Sequence, residues 1–283
     1  MNFKEENKFL IVKDYSVSKE TFALLYNKEY DLLKTHPFPD LSLLSKYYES
    51  EDYISHTDGK RTFFEKIYHF VKKRAIKNKV KLINSYHKNK GALLDVGCGT
   101  GDFLVEAQNQ GWKATGYEPN EAAKKLTISK NVSTIDDLVS LSANSFDVIT
   151  LWHVLEHVPN LEEYIKNLKK LLKPSGTLIV AVPNYKSYDA IYYKRHWAAY
   201  DVPRHLWHFS KKSIKRLFSD VDMNLACVLP MWFDSFYVSM LSEKHKTGKI
   251  NFIKAVFIGL RSNCVGLFKK EFSSHIYVLK NNK

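Results

Sequence analysis

Cysteine is scarce in this chain: the 283 residues include only Cys98, Cys227 and Cys264, which stand far apart. No two of them have the short spacing of a zinc motif, and so few cysteines exclude a disulfide framework. A chain of this length can bury an ample apolar core and needs no such staples. The cysteine usage is typical of a reducing cytoplasm.

Long apolar runs are missing as well. Nowhere in the sequence do about eighteen consecutive apolar residues occur, the length that a membrane-spanning helix requires. Residues 1–7 are charged and polar, so no signal peptide is predicted. The sequence therefore predicts a cytoplasmic protein, neither secreted nor membrane-spanning.

Acidic residues are outnumbered by basic ones. The chain has 30 Asp and Glu against 43 Lys and Arg, which gives a formal net charge of +13. Such a charge favours acidic partners, for example nucleic acid, anionic lipid or a phosphorylated substrate. Lysines that serve solubility alone would give the same balance. Charge by itself therefore identifies no partner.

Glycines alternate in one short stretch. Gly97, Gly99 and Gly101 follow an apolar run and precede a new apolar period, which predicts a buried strand, a turn and a helix. Such a turn lets backbone approach a nucleotide-like cofactor. The dinucleotide fingerprint has its third glycine where this chain has Asp102, which disfavours a nicotinamide oxidoreductase. Asp95, just before the glycines, offers a carboxylate to a positively charged ligand.

Residues 95–101 resemble motif I of the class I S-adenosylmethionine-dependent methyltransferases. The resemblance implies that the methionine end of the cofactor is held by Asp95, Gly97, Cys98, Gly99 and Gly101. It also implies that Glu118, next to Pro119, binds the ribose hydroxyls, and that Ile135 or Asp136 borders the adenine. Because the glycine loop with Asp95 and the carboxylate of Glu118 both occur at the expected spacing, a cofactor site is favoured over a plain glycine turn.

The central part of the chain alternates strand and helix patterns, which predicts an α/β fold with a parallel sheet covered on both faces. Strands are predicted at residues 92–96, 113–117, 132–135, 146–151, 177–182, 223–229 and 275–279. The resemblance implies the Rossmann-like sheet of class I methyltransferases, mostly parallel, with the last two strands forming an antiparallel pair at its edge.

An N-terminal cap is predicted over residues 1–59. Short apolar runs in residues 8–36 indicate a small hairpin-like module. Some methyltransferases of similar layout carry a cysteine zinc ribbon here, which this chain cannot form because it has no cysteine before Cys98. Residues 47–56 combine aromatics, hydroxyls and a histidine, as in a lid over the cofactor or a plain surface loop.

The remaining boundaries follow from changes in pattern. Residues 60–230 are predicted to form the methyltransferase core with a basic leading helix, whose charged face is typical of a solvated surface. Residues 231–271 are predicted to be an insertion of two amphipathic helices, and residues 272–283 the final core strand. The insertion could cover an apolar substrate pocket, form a dimer face, rest on a membrane surface or simply pack on the core.

Two predicted strands are each followed by histidines. The candidates after the fourth strand are Trp152, His153, Glu156 and His157, and those after the fifth are Arg204, His205 and His208. The carboxyl ends of parallel strands open on one crevice, so we expect His153, Glu156, His157 and His208 to converge beside the methyl group. Trp152 and His153 are expected to contact the cofactor, and Arg204 and His205 to line the acceptor side.

A histidine in this place could act as a general base, orient the acceptor, or only cap and pack. Residues 155–157 also resemble the segment after strand four in ubiquinone O-methyltransferases and small-RNA ribose methyltransferases, where Glu-x-x-Glu-His can bind a divalent cation. His153 replaces the first glutamate here. Imidazoles with one carboxylate suit zinc, iron or nickel better than magnesium, so the metal is left open.

The sequence therefore predicts transfer of a methyl group from S-adenosylmethionine to an oxygen of a small-molecule or lipid-like acceptor. Peripheral membrane contact through residues 231–271 is part of this interpretation. A nucleic-acid methyltransferase and a non-catalytic methyltransferase-like binding subunit are the alternatives. The oligomeric state is left open.

Overall fold

The structure is a computed structural model that describes residues 1–40, 46–47 and 63–282, with the backbone alone described for residues 63–70. The lid predicted at residues 47–56 lies outside the described residues apart from Tyr47. The strands are β1 (Lys8–Lys13), β2 (Thr21–Asn27), β3 (Leu32–His36), β4 (Ala92–Val96), β5 (Lys113–Tyr117), β6 (Ser133–Ile135), β7 (Phe146–Trp152), β8 (Leu172–Pro183), β9 (Trp207–His208), β10 (Met223–Pro230) and β11 (Ser274–Asn281). The α-helices are α1 (Phe63–Tyr86), α2 (Asp102–Asn109), α3 (Glu121–Ser129), α4 (Leu161–Leu171), α5 (Tyr188–Tyr193), α6 (Lys211–Ser219), α7 (Asp234–Thr247) and α8 (Phe252–Lys269).

Within the described residues, a central sheet of seven strands has the order β10, β11, β8, β7, β4, β5, β6. Strands β6, β5, β4, β7 and β8 pair in parallel, whereas β11 pairs antiparallel with both β8 and β10. The predicted α/β sheet with an antiparallel pair at its edge is confirmed.

The inner strands are buried on both faces because helices cover both sides of the sheet. Four of the five residues of β4 are buried, and the last eight residues of β8 are all buried. Helix α4 presents Leu161, Ile165, Leu168 and Leu171 to this core and directs its lysines outward. The carboxyl ends of β4, β5 and β7 are therefore held rigidly at one edge of the sheet.

A second, antiparallel sheet has the order β1, β2, β3, β9. The predicted hairpin-like module is thus three strands long, and its fourth strand comes from the segment after β8, where no strand is predicted. Thr35 on β3 donates its backbone N–H to the Leu206 carbonyl at 3.0 Å and its hydroxyl to the His205 carbonyl at 2.6 Å. The N-terminal strands therefore support the loop that carries the second group of histidines.

The insertion after β10 consists of α7 and α8, as predicted. The two helices touch where Gly259 leaves room for Phe236, since a Cβ at Gly259 would lie 3.1 Å from the Phe236 backbone. No helix in the described part of the chain is both long and apolar enough to cross a membrane.

Candidate active site

The glycine loop between β4 and α2 has three residues in the left-handed region: Gly97 (φ 70°), Gly99 (φ 55°) and Gly101 (φ 76°). A Cβ at Gly97 would lie 2.4 Å from Val154 Cγ2, and one at Gly101 would lie 2.9 Å from Thr127 Cγ2. At Gly99, a Cβ would have no neighbouring atom of the described residues within 4 Å. The outer two glycines are thus required by the fold, whereas the middle one faces open space that a ligand can fill.

Hydrogen bonds fix this loop against the end of β5. The backbone N–H groups of Gly97 and Cys98 donate to the Tyr117 carbonyl at 2.7 and 3.1 Å. The Gly99 N–H donates to Glu118 Oε2 at 2.8 Å. Glu118 therefore lies beside the loop, as the ribose assignment requires. Burial raises the pKa of the Cys98 thiol to about 12, so Cys98 is a neutral packing residue.

Asp95, at the end of β4, is the buried carboxylate of the site, with only 2% of its surface exposed. Thr150 on β7 donates its hydroxyl to Asp95 Oδ1 at 2.5 Å. Burial raises the pKa of Asp95 to about 7 in spite of this hydrogen bond. A positively charged ligand would offset the burial of this carboxylate and favour its ionised form.

Lys79 on α1 is a site residue that the sequence prediction missed. Its ammonium lies 4.3 Å from the centre of the Trp152 ring. Burial lowers the pKa of Lys79, although the negative charges of Asp95 and Asp234 act to raise it. The sequence does contain one indication that Lys79 faces inward: it falls between Ile76 and Ile83, on the apolar side of the helix. It faces the crevice rather than solvent.

Trp152 ends β7 at the same place, as predicted. Its indole Nε1 is buried and has no hydrogen-bond partner among the described residues. Phe103 packs edge-on against its ring at 5.8 Å. A buried donor without an acceptor is costly, so Nε1 marks a position where a ligand acceptor would be stabilising.

His153 is held between two carboxylates. Its Nδ1 lies 3.2 Å from Glu156 Oε1 and its Nε2 lies 3.0 Å from Asp234 Oδ2, at the start of α7. Burial opposes the positive charge, but the two carboxylates outweigh it and raise the pKa of His153 to about 10. A histidine that keeps its proton at neutral pH does not serve as a general base, so the structure favours a positioning role over the predicted catalytic one.

His157 and His205 meet edge to face, with ring centres 4.6 Å apart. His157 Nδ1 lies 2.9 Å from the Arg204 carbonyl and His205 Nδ1 lies 2.8 Å from the Ala199 carbonyl. A carbonyl only accepts, so both Nδ1 atoms carry a proton. Burial and the neighbouring His205 lower the pKa of His157 to about 4, which keeps it neutral.

Glu156 completes this group, which we call the histidine cluster: Glu156, His157 and His205. One ligand atom from each lies within 4.8 Å of the others. Glu156 is fully buried, and its Oε2 has no hydrogen-bond partner among the described residues. Burial opposes its charge, yet the contact with His153 lowers the pKa of Glu156 and keeps it ionised.

His208 does not join the histidine cluster. Its ring lies 6.4 Å from that of His205, and its Nε2 lies 3.1 Å from the Thr35 hydroxyl within the small sheet. His205, not His208, lies with Glu156 and His157. The guanidinium of Arg204 donates to Asp201 from Nε at 2.9 Å and to the Tyr47 carbonyl from Nη1 at 2.8 Å, and its contact with an acceptor stays a prediction.

The residues predicted at the adenine and ribose end are more exposed. Ile135 ends β6 and packs partly against the core, whereas Asp136 is exposed and paired with Lys124. Pro119 is exposed next to Glu118. Their contacts with the adenosine part of a cofactor stay a prediction.

A family model described as a methyltransferase domain matches residues 67–228, more than half of the chain. The chain belongs to the class I S-adenosylmethionine-dependent methyltransferases. The match begins within α1 and ends in β10, so it includes the glycine loop, Glu118 and the histidine cluster.

Among its relatives, this methyltransferase is 34% identical over 135 residues to the ubiquinone biosynthesis O-methyltransferase of Actinobacillus pleuropneumoniae, covering 42% of this chain and 58% of that protein. It is 41% identical over 107 residues to the same-named protein of Haemophilus ducreyi, covering 32% and 45%. The chain thus spans about half the length of these relatives.

Solved structures with bound cofactor share the fold of this methyltransferase. Magnesium protoporphyrin IX methyltransferase from Synechocystis, with bound SAH, superimposes with a TM-score of 0.58 at 15% identity, covering 86% of this chain and 100% of that one. A SAM-dependent methyltransferase from Archaeoglobus fulgidus gives 0.51 at 17% identity, covering 74% and 94%. At these identities the likeness shows the fold alone.

We expect Glu118→Ala to weaken S-adenosylmethionine binding by about 1 to 3 kcal/mol, the scale of a lost charged hydrogen-bond partner. The substitution removes the acceptor for ribose hydroxyls and also frees the Gly99 N–H. Titration calorimetry measures the change. Glu121→Ala, at an exposed carboxylate on α3, is the matched control and should bind as the unaltered protein does. A loss of only a few tenths of a kcal/mol for Glu118→Ala would show that this carboxylate does not contact the ribose.

Proposed function

We propose that this methyltransferase transfers a methyl group to an oxygen of a small-molecule or lipid-like acceptor. The observation that carries the proposal is the histidine cluster, where the imidazoles of His157 and His205 and the buried carboxylate of Glu156 each place a ligand atom within 4.8 Å of the others. The relatives matched above are named O-methyltransferases. An oxygen nucleophile must lose its proton, and this cluster can remove it or acidify it.

The residues of the crevice fit the proposed cofactor. When bound, S-adenosylmethionine supplies a methyl group on a positively charged sulfur, which leaves as a neutral thioether. Asp95 attracts the positively charged groups at the methionine end of the cofactor. Lys79 offers a cation to the cofactor's carboxylate, and the open space at Gly99 admits the methionine end. Trp152 Nε1, a donor without a partner, gains an acceptor there.

The histidine cluster has two ways to prepare a hydroxyl. The Nε2 lone pair of a neutral imidazole can accept the proton of the hydroxyl as the methyl group arrives. The same atoms also fit a divalent cation, because each histidine donates its Nδ1–H to a carbonyl, as metal-bound histidines do. Glu156, His157 and His205 would then hold the ion, which would lower the pKa of a bound hydroxyl. Two imidazoles and one carboxylate suit zinc or iron better than magnesium.

Apolar side chains near the crevice support an acceptor with an apolar body. Asp234 contacts His153, and it directly follows Trp232 and Phe233, which are 43% and 46% exposed. The start of α7 therefore brings exposed aromatic surface close to the histidine cluster. Such surface favours a lipid-like molecule over a strongly hydrated one.

The test is transfer of labelled methyl to matched acceptors that share one apolar skeleton and carry a phenol, a catechol, an amine or a thiol. We expect label on the phenol or catechol oxygen and none with Asp95→Ala protein. Label on the amine alone would overturn the oxygen assignment. Label on RNA or DNA, offered in the same assay, would overturn the small-molecule acceptor.

A further inference from the structure

The solvent side of α8 carries an apolar stripe along the length of the helix, with the exposed Arg261 beside it. We call this the outer face; it consists of Ile253, Phe257, Leu260, Cys264, Leu267 and Phe268. These positions recur at intervals of three and four residues, so they form one continuous stripe. Ile253 is 83% exposed and Phe268 is 87% exposed. Large apolar side chains so fully in water indicate a surface that another phase or molecule covers.

The opposite, buried side of α8 shows that the outer-face residues are not core residues of the protein. Ala255, Gly259, Ser262 and Gly266 are buried against α7 and the body of the protein. A Cβ at Gly266 would lie 2.7 Å from Phe272 Cδ1, so a small residue is required at that position. Ile258 and Asn263 are the larger residues on the buried side, whereas most of the large apolar side chains of the helix face outward.

The charges around the outer face have one sign. Residues 244–270 contain no aspartate or glutamate, and their basic residues are Lys244, Lys246, Lys249, Lys254, Arg261, Lys269 and Lys270. Lys254 pairs with Glu243. Among the described residues, Lys249, Lys269 and Lys270 have no carboxylate within 4.0 Å. These three stand at the two ends of α8, so cations frame the apolar stripe.

We propose that the outer face lies on an anionic lipid bilayer. The apolar side chains then enter the boundary between headgroups and acyl chains, and the lysines at both ends reach lipid phosphates. A second copy of the chain is a poorer partner, because two such faces would bring like-charged lysines together with no carboxylate between them.

This orientation has a consequence that rests on the proposed function. Asp234 at the start of α7 contacts His153, so the helix pair that meets the bilayer also borders the crevice. A lipid-like acceptor would reach the histidine cluster from the membrane side. The binding test below uses no acceptor and no methyl transfer, so its result is independent of the proposed reaction.

The first experiment is sedimentation with vesicles of phosphatidylcholine alone or mixed in equal parts with phosphatidylglycerol. We expect the protein to bind the mixed vesicles, with affinity that falls as salt rises. Replacing Ile253, Phe257 and Phe268 together by serine should weaken binding about tenfold or more. The matched control replaces Leu126, Ile128 and Val139, three exposed apolar residues elsewhere on the protein, and should bind as before. All of these side chains are exposed, so the melting temperature should stay the same.

The second experiment uses Cys264 as a native attachment point. Cys98 is buried and Cys227 half-buried, whereas Cys264 is exposed in the middle of the outer face. A polarity-sensitive fluorophore on Cys264 should shift to the blue with mixed vesicles. In a Cys264→Ser, Ile128→Cys protein the same label should not shift. No binding to mixed vesicles, equal losses in both triple variants, or a dimer that the outer-face variant alone dissociates without vesicle binding would each overturn the proposal.

Discussion

Replacing Asp95 by alanine is expected to abolish S-adenosylmethionine binding, with a loss of about 2 to 3 kcal/mol or more. Asp95 is a buried carboxyl group at the glycine loop, and a cofactor with a charged amino group and sulfonium needs it ionised. Titration calorimetry measures the affinity. The fold should persist, because the substitution removes a carboxyl group whose ionisation burial opposes.

The pH dependence of cofactor binding by the unaltered protein provides the control. The pKa of Asp95 in the folded protein is about 7, so cofactor affinity should fall by about tenfold for each pH unit below that value. Asp95→Asn keeps the hydrogen bond with Thr150 but cannot ionise, and it should show weak binding without this slope. A slope that persists in Asp95→Asn would show that another group titrates.

The stability of the cofactor-free protein should change with pH in the direction opposite to that of cofactor affinity. The pKa of Asp95 rises from 3.8 to about 7 on folding, so folding takes up a proton between these values. The contribution of Asp95 to stability is therefore present at low pH and lost as pH rises through about 7. Melting temperatures of the cofactor-free protein, compared with those of Asp95→Asn across this range, measure the difference.

The second large effect is expected at the histidine cluster. His157→Ala and His205→Ala should each lower kcat by roughly 10²- to 10⁴-fold, the range for loss of acid–base or metal-assisted activation of a nucleophile. Cofactor affinity should stay unchanged, because the cofactor is proposed to bind at Asp95 and Glu118 instead. Single-turnover transfer to an acceptor found in the assay above, with calorimetry alongside, separates the two quantities.

Two matched variants keep this prediction open to contradiction. His87→Ala removes a half-buried histidine bonded to Thr177 at the far end of the sheet and should leave kcat unchanged. His208→Ala breaks the contact with Thr35, so it should lower the melting temperature more than kcat. Wild-type kcat in both cluster variants would show that the cluster does not take part in transfer.

A chelator distinguishes the two ways in which the cluster can act. If Glu156, His157 and His205 hold a cation, dialysis against a chelator should lower kcat as much as His157→Ala does, and zinc or iron(II) should restore it. His157→Ala protein should then be insensitive to both treatments. Full activity after dialysis would assign the role to the imidazole alone.

The parts of the molecule predicted best from sequence are those fixed by local pattern. The strand before Gly97 and the left-handed turn after it depend on neighbouring residues only, since burial periodicity and glycine conformations are read within a few positions. The sheet order then follows from alternation of strands and helices together with the family resemblance. Asp95 and Glu118 stand at the ends of such strands, and the structure places both at the glycine loop.

The rest of the site depends on contacts between segments far apart in the chain. Asp234 reaches His153 from the insertion, and no motif marks it. His205 rather than His208 joins His157 because Thr35, on a strand of the small sheet, holds His208. Lys79 carried a weak local signal, but its charge made a solvent-facing position the simpler prediction. Sequence patterns indicate which strand ends carry the candidates, whereas packing decides which of them meet.

The small antiparallel sheet also has a consequence for how the chain folds during synthesis. Strands β1 to β3 leave the ribosome early, but β9 and the His205 carbonyl that Thr35 holds come 170 residues later. The first strands therefore keep one edge open until the parallel strands β4 to β8 of the central sheet have been synthesised. His205 takes its position in that late step. A substitution that weakens the pairing of β3 should therefore lower activity before it destabilises the central sheet.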